Sequence, residues 1–148
     1  MGSRVIFTDL EKFLTGHIRS ELAALPGQPY SGGFISNQFY DPEKDELRPP
    51  PPYQIIVRDD SGPDTSIITQ EPTVGVTVLM GDDASQGEEA TDLALVVKMI
   101  VKDCAGTDPD NPVAAVLGAS GPFKVPDPSG IPRRYMTFEL AVTGRPFT

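Results

Sequence analysis

From position 73 to position 80 the chain alternates: Val74, Val76, Val78 and Met80 fall between Thr73, Gly75, Thr77 and Leu79. A period of two predicts a strand with one well-buried face. A short acidic turn over residues 81–84 follows, and the period then changes. Leu93, Val97, Ile100, Val101 and Cys104 recur at three- and four-residue steps, the spacing of one apolar stripe on a long helix. Ser85 and Glu88 stand at capping-box spacing at its start. Glu88, Glu89 and Asp92 lie early and Lys98 and Lys102 late, the order the helix dipole favours, and Gly106 supplies the stop. A second helix of the same kind is predicted from Thr8, with Glu11 completing its capping box. Leu10, Phe13, Leu14, Ile18, Leu22 and Leu25 form its apolar face, and Pro26-Gly27 ends it.

The remaining pattern predicts more strands. Tyr53, Ile55 and Val57 alternate with Gln54, Ile56 and Arg58, residues 59–63 read as a turn, residues 65–69 as a short strand and Glu71-Pro72 as another turn. Short links favour an antiparallel meander through residues 53–80. Asn111-Pro112 reads as the N-cap and first turn of a short helix through Leu117, ended by Gly118, with loop over 118–132. In the last strand Met136, Phe138, Leu140 and Val142 face one way and Tyr135, Thr137, Glu139 and Ala141 the other. Together these predict an α+β domain: a mainly antiparallel sheet of about four strands, one face covered by two long helices.

Residues 26–52 stand apart. They are rich in Gly and Pro, carry the aromatics Phe34, Phe39 and Tyr40, and end in the run Pro49, Pro50, Pro51, Pro52, a stiff polyproline spacer into the next strand. An ordered loop of this length usually has a job. The expected one is packing against a neighbouring subunit, with the three aromatics as anchors.

Composition narrows the class. The chain has 148 residues, 39% of them hydrophobic, with 14 glycines and 16 prolines, which suits one domain with long loops. No apolar run approaches the ~18 residues of a membrane span, and the first residues lack the basic-then-apolar pattern of a secretory signal. One cysteine precludes an internal disulfide or a Cys-based zinc site, and Cys104 on its apolar stripe reads as core. The net charge of −9 argues against gripping nucleic acid, which needs clustered Lys and Arg.

Candidate chemistry is sparse. A Ser-His-Asp or Cys-His system would have to use His17, the single histidine, on the flank of the first helix. There is no phosphate-binding glycine loop of the Gly-Lys-Ser/Thr or dinucleotide type. The acidic turn with Asp82, Asp83, Glu88 and Glu89 is the best metal candidate, although a solvated turn and helix-capping glutamates account for it. Asp41 to Glu46 reads as a solvated charge run without calcium-loop spacing. Arg133 and Arg134, opening the last strand, read as surface or intersubunit salt-bridge residues. No cofactor is implied.

The order of helix, three-strand meander, Gly-Asp-Asp turn, long helix and last strand resembles the tail terminator proteins of long-tailed bacteriophages, above all those of actinobacterial hosts. The carrying residues are Val76 to Asp83, the helix from Ser85, Asn111-Pro112-Val113, and Gly130 to Gly144 with Tyr135-Met136-Thr137-Phe138-Glu139. The resemblance implies a non-enzymatic virion protein at the tail neck, assembled in the host cytoplasm. It would form a hexameric homo-oligomeric ring that ends the tail tube, contacts the tube protein and the head–tail connector protein, and lets genomic DNA pass without specific binding. Phe34, Phe39, Tyr40, Arg133 and Arg134 are then candidate intersubunit contacts. Asp41, Glu43, Asp45, Glu46, Asp82 and Asp83 are candidate acidic residues of the lumen, where they would repel phosphates. The alternatives are another head–tail joining protein, such as a stopper or tail-completion protein, a small metal-dependent enzyme built on Asp82 and Asp83, and a monomeric module using its proline run as an SH3-type ligand.

Overall fold

The computed structural model describes residues 4–44, 51–81 and 84–147. In chain order the described residues form β1 (Val5–Ile6), α1 (Leu10–Ala23), β2 (Phe34–Ser36), β3 (Tyr53–Asp59), β4 (Thr69–Gln70), β5 (Thr73–Met80), a 3-10 turn (Ala84–Gln86), α2 (Gly87–Lys102), β6 (Val113–Val125), β7 (Arg133–Thr143) and β8 (Arg145–Pro146). Strand β5 is central. Antiparallel β3 flanks it with Ile55 opposite Val78, and antiparallel β7 flanks its other side with Met136 opposite Val76. Short β2 lies parallel to β3 at one rim, β6 pairs with β7 at the other, and β1 with β8 forms a separate two-stranded ribbon.

The alternation read from the sequence sets the burial. Val74, Val76, Val78, Met136, Phe138, Leu140 and Val142 have at most 2% of their surface exposed, on one face of the sheet. Against that face α1 brings Leu10, Leu14, Ile18 and Leu22, and α2 brings Leu93, Ala94, Val97 and Val101. Each helix contributes one apolar stripe and leaves its other side in water, which is why two helices suffice for one face and cover only that one. The α+β class, the two covering helices and the mainly antiparallel pairing agree with the expectation; the sheet is larger than the four strands expected, and β2 adds a parallel pair to it.

Four local expectations need correction. Residues 113–125 are a strand, not a short helix and a loop. Its register on β7 shifts between Val113 and Ala115, between Val116 and Gly118, and between Ser120 and Phe123. Each shift inserts an extra residue, so the core-facing Val113, Val116 and Ala119 recur every third position and hide the period of two. Asn111 caps no helix: its side chain donates to the Cys104 carbonyl at 2.8 Å and accepts from the Val113 amide at 2.9 Å, tying the end of α2 to the start of β6.

The meander is also different. Residues 65–69 do not lie between the flanking strands, because β3 pairs directly with β5. Instead β4 sits on β7 with Gln70 opposite Val142, three positions along from the Thr73–Glu139 pair. The register is unbroken, so β4 and β5 are one strand interrupted at Glu71-Pro72, where the Pro72 carbonyl still accepts from the Leu140 amide. The helix starts also shift from the expected positions, to Asp9 as N-cap of α1 and Gln86 as N-cap of α2. Asp9 caps α1 by accepting from the Lys12 amide at 3.1 Å, and Ser85 lies in the 3-10 turn ahead of α2. Glu11, freed from the cap, accepts from the Asn37 side chain at 3.0 Å and the Asp59 amide at 2.8 Å.

Finally, the first part of the long segment orders against its own domain. Phe34, Ile35 and Ser36 extend the sheet as β2. The Arg19 guanidinium donates to the Ile35 carbonyl at 2.9 Å, and the Tyr53 hydroxyl donates to the Tyr30 carbonyl.

Candidate functional site

The two arginines that open β7 point to opposite faces of the sheet, as neighbours in a strand must. Arg134 faces the helices and is only 7% exposed. Its Nε donates to Thr91 Oγ1 at 3.0 Å, Nη2 to the Gly87 carbonyl at 2.9 Å and Nη1 to the Arg133 carbonyl at 3.1 Å. These bonds pin the start of α2 onto β7. The reading of Arg134 as a surface salt-bridge residue is therefore corrected: burying a guanidinium is tolerable only when its donors are satisfied, and its own chain satisfies them.

Arg133 turns to the outer face and meets the aromatic segment. Its guanidinium carbon lies 5.5 Å from the centroid of the Phe39 ring, within cation–π range. Its Nη1 is 3.4 Å from Asp127 Oδ1, while Nε is buried with no hydrogen-bond partner among the described residues. The Ser129 hydroxyl, hydrogen-bonded to the Asp127 carboxylate, holds that carboxylate below its usual range; the Ser129 amide and Arg133 act in the same direction against the cost of burial.

Within the chain Phe34 is brought to Tyr40, and Phe39 to Arg133. The rings of Phe34 and Tyr40 meet edge to face with centroids 5.6 Å apart, and the Tyr40 amide donates to Gln54 Oε1 at 2.9 Å. Gln54, Leu79 and Arg133 stand opposite one another on three adjacent strands. Tyr40 and Phe39 therefore lie over that row on the face turned away from the helices, where Ile56, Thr77 and Leu79 are each only 6% exposed. Phe39 keeps 49% of its surface in solvent, so of the three aromatics it offers the most to a partner.

The acidic candidates do not form one described group. Asp41 is half-buried and accepts from the Glu43 amide at 2.9 Å, and Glu43 is exposed. Asp45, Glu46, Asp82, Asp83 and the first two residues of the proline run, Pro49 and Pro50, lie outside the described residues. Glu88 and Glu89 are exposed in the first turn of α2. Among the described residues no three His, Cys, Asp or Glu side chains converge as a metal site would require. His17 lies against Phe13 with ring centroids 5.9 Å apart. Cys104 is buried, and burial pushes its thiol up to about 11, which keeps it protonated and unreactive at neutral pH.

A cavity of about 400 Å³ opens between the loop after α2 and the end of β7 and is lined by Thr8, Asp108, Asp110, Asn111, Thr143 and Arg145. Two smaller depressions lie along the seam between α1 and β2 and share Arg19 and Ile35. Sequence reasoning missed the β6 rim altogether. Leu117 and Phe123 there are 52% and 53% exposed, and Leu95 and Met99 on α2 are 49% and 55% exposed. The available signal was a run of thirteen residues, 113–125, with one charge, Lys124. Compared with known proteins, the chain matches no family model and no curated protein.

Proposed function

We propose that this protein is a tail terminator: a subunit of a ring that caps the head-proximal end of a bacteriophage tail tube, stops its growth and presents a surface to the head connector. It acts by contact and catalyses no reaction. The observation that carries this reading is where the resemblance falls. Its phrases lie in β5, α2, the start of β6 and β7, which pack on one another around Val76, Val97, Val113 and Phe138 as a single core unit.

In this reading the charge of −9 lets DNA slide past the ring, an effect that salt weakens. The test is electron microscopy of lysates from phage lacking this protein. The expected result is tails of uncontrolled length without heads. Tails of normal, uniform length joined to full heads would remove the reading.

A further inference from the structure

Helices α1 and α2 cover one face of the sheet. The other face is apolar at Ile56 on β3 and Leu79 on β5, yet each is only 6% exposed. Leu79 stands between Gln54 and Arg133 in a row across three strands. The chain is fastened at both ends of that row: the Tyr40 amide donates to Gln54 Oε1 at 2.9 Å, and the Phe39 ring centroid lies 5.5 Å from the Arg133 guanidinium carbon. Residues 37–40 belong to no helix or strand, so Leu79 is covered by a strap of irregular backbone.

The way this strap is held sets it apart from the rest of the domain. Among the described residues no backbone–backbone hydrogen bond joins residues 37–44 to the sheet. The described fastenings are the Gln54 side chain, the Arg133 cation and the Phe34 ring, edge-on to Tyr40 at 5.6 Å. Contacts of these kinds each shift an equilibrium by about fivefold, whereas the strands beneath share the stability of the whole core. Phe39 leaves 49% of its surface in solvent, so its burial adds little. The near end is fixed more firmly. Asn37 Nδ2 donates to Glu11 Oε1 at 3.0 Å, and β2 just before it is paired with β3.

We propose that residues 38–40 are a releasable strap. They lift as a local unit, turning about Asn37, while the sheet and both helices stay folded. Lifting uncovers Leu79 and Ile56 and frees the Arg133 guanidinium from Phe39. The apolar strip is thus hidden in the resting molecule and presented in proportion to the open fraction. The device rests on the fold alone and is independent of the terminator reading.

Thiol labelling tests it. Leu79→Cys places a reporter under the strap, and the buried Cys104 is an internal standard that reacts only when the core opens. With iodoacetamide and mass spectrometry, the thiol introduced at position 79 should react at least about 100-fold faster than Cys104. Phe39→Ala or Gln54→Ala added to the reporter should speed labelling at 79 by about fivefold or more and leave Cys104 unchanged. Equal rates at the two positions would overturn the proposal, because the strap would then open only with the whole domain. Labelling at 79 as fast as in an unfolded chain would also overturn it, since nothing would then cover the strip. So would strap substitutions that change neither rate or raise both alike. Hydrogen exchange of the wild-type chain gives a check free of substitutions. The Tyr40 amide should exchange at least about 100-fold faster than the Val78 amide and show no response to low urea. A Tyr40 amide as protected as Val78 would overturn the local opening.

Discussion

Gly33 precedes β2, and a Cβ built on it would lie 1.9 to 2.5 Å from three ring carbons of Tyr53. Those separations are far inside van der Waals contact, and Tyr53 has little freedom to retreat. Its ring is 3% exposed, sits edge-on to Tyr30 and is tethered through its hydroxyl to the Tyr30 carbonyl. Replacing Gly33 by Ala therefore sets two effects against each other. Stiffening the unfolded chain favours Ala by about 0.4–1 kcal/mol where the native backbone accepts it, and Gly33 has no left-handed φ to forbid it. Overpacking a buried ring costs typically ~1–3 kcal/mol and should win, and loosening the Tyr53 hydrogen bond adds about 1 kcal/mol. A net loss of roughly 1–3 kcal/mol in a domain of this size lowers Tm by about 2–12 °C. The assay is thermal and urea unfolding of Gly33→Ala alone and in a Tyr53→Leu background. With the ring gone the cost should vanish or change sign, the coupling that a double-mutant cycle isolates. A Gly33→Ala protein as stable as wild type, or a cost unchanged in the Tyr53→Leu background, would refute the docking of residues 28–36 on the sheet rim.

Two further outcomes follow from the core and from the turn before β7. Phe138→Ala removes a fully buried ring from the packed face and should cost about 3–5 kcal/mol in urea unfolding; a loss below ~1 kcal/mol would mean the two faces of β7 are assigned backwards. Asp127 has a lowered folded pKa, so its stabilisation is fully present above the unfolded carboxylate value and is lost as pH falls through the lower folded one. Asp127→Asn should therefore lie further below wild type in stability at neutral pH than at about pH 3, and a gap independent of pH would remove this role.

What was legible in the chain follows from how strictly a period is kept. Strands β3, β5 and β7 and both helices keep theirs, and that spacing alone puts Phe138, Val78 and Leu93 in the core. Strand β6 breaks its period three times, and the Ala-rich start Val113-Ala114-Ala115-Val116 then resembles a helix more than a strand. Glu11 was read through its distance from Thr8, a local signal. Its actual partners, Asn37 and Asp59, are remote in sequence, and no spacing rule reaches them. For the candidate site, sequence picked out the aromatics and arginines as residue types but could not divide Arg133 from Arg134. Their division depends on which face of β7 the helices cover. The β6 rim was hidden for the same reason as β6 itself.

The unbroken register across Glu71-Pro72 makes the tip at residues 65–67 a tolerant place in the fold, beyond the bonds that tie Pro63 to Glu71 and Ile68 to Gly144. Both of its stems are fixed: the Asp60 amide donates to the Thr73 carbonyl and the Thr73 amide to the Ser61 carbonyl, and Gln70 is held opposite Val142. Whatever lies between the stems can lengthen without sliding either strand, and doubling a flexible loop costs only about 0.6 kcal/mol in closure entropy. Ile67, at 80% exposure, already stands there without a place in the core. The fold thus carries a permissive insertion point, where an epitope can be grafted or a lineage can acquire a new contact while the domain beneath keeps its register.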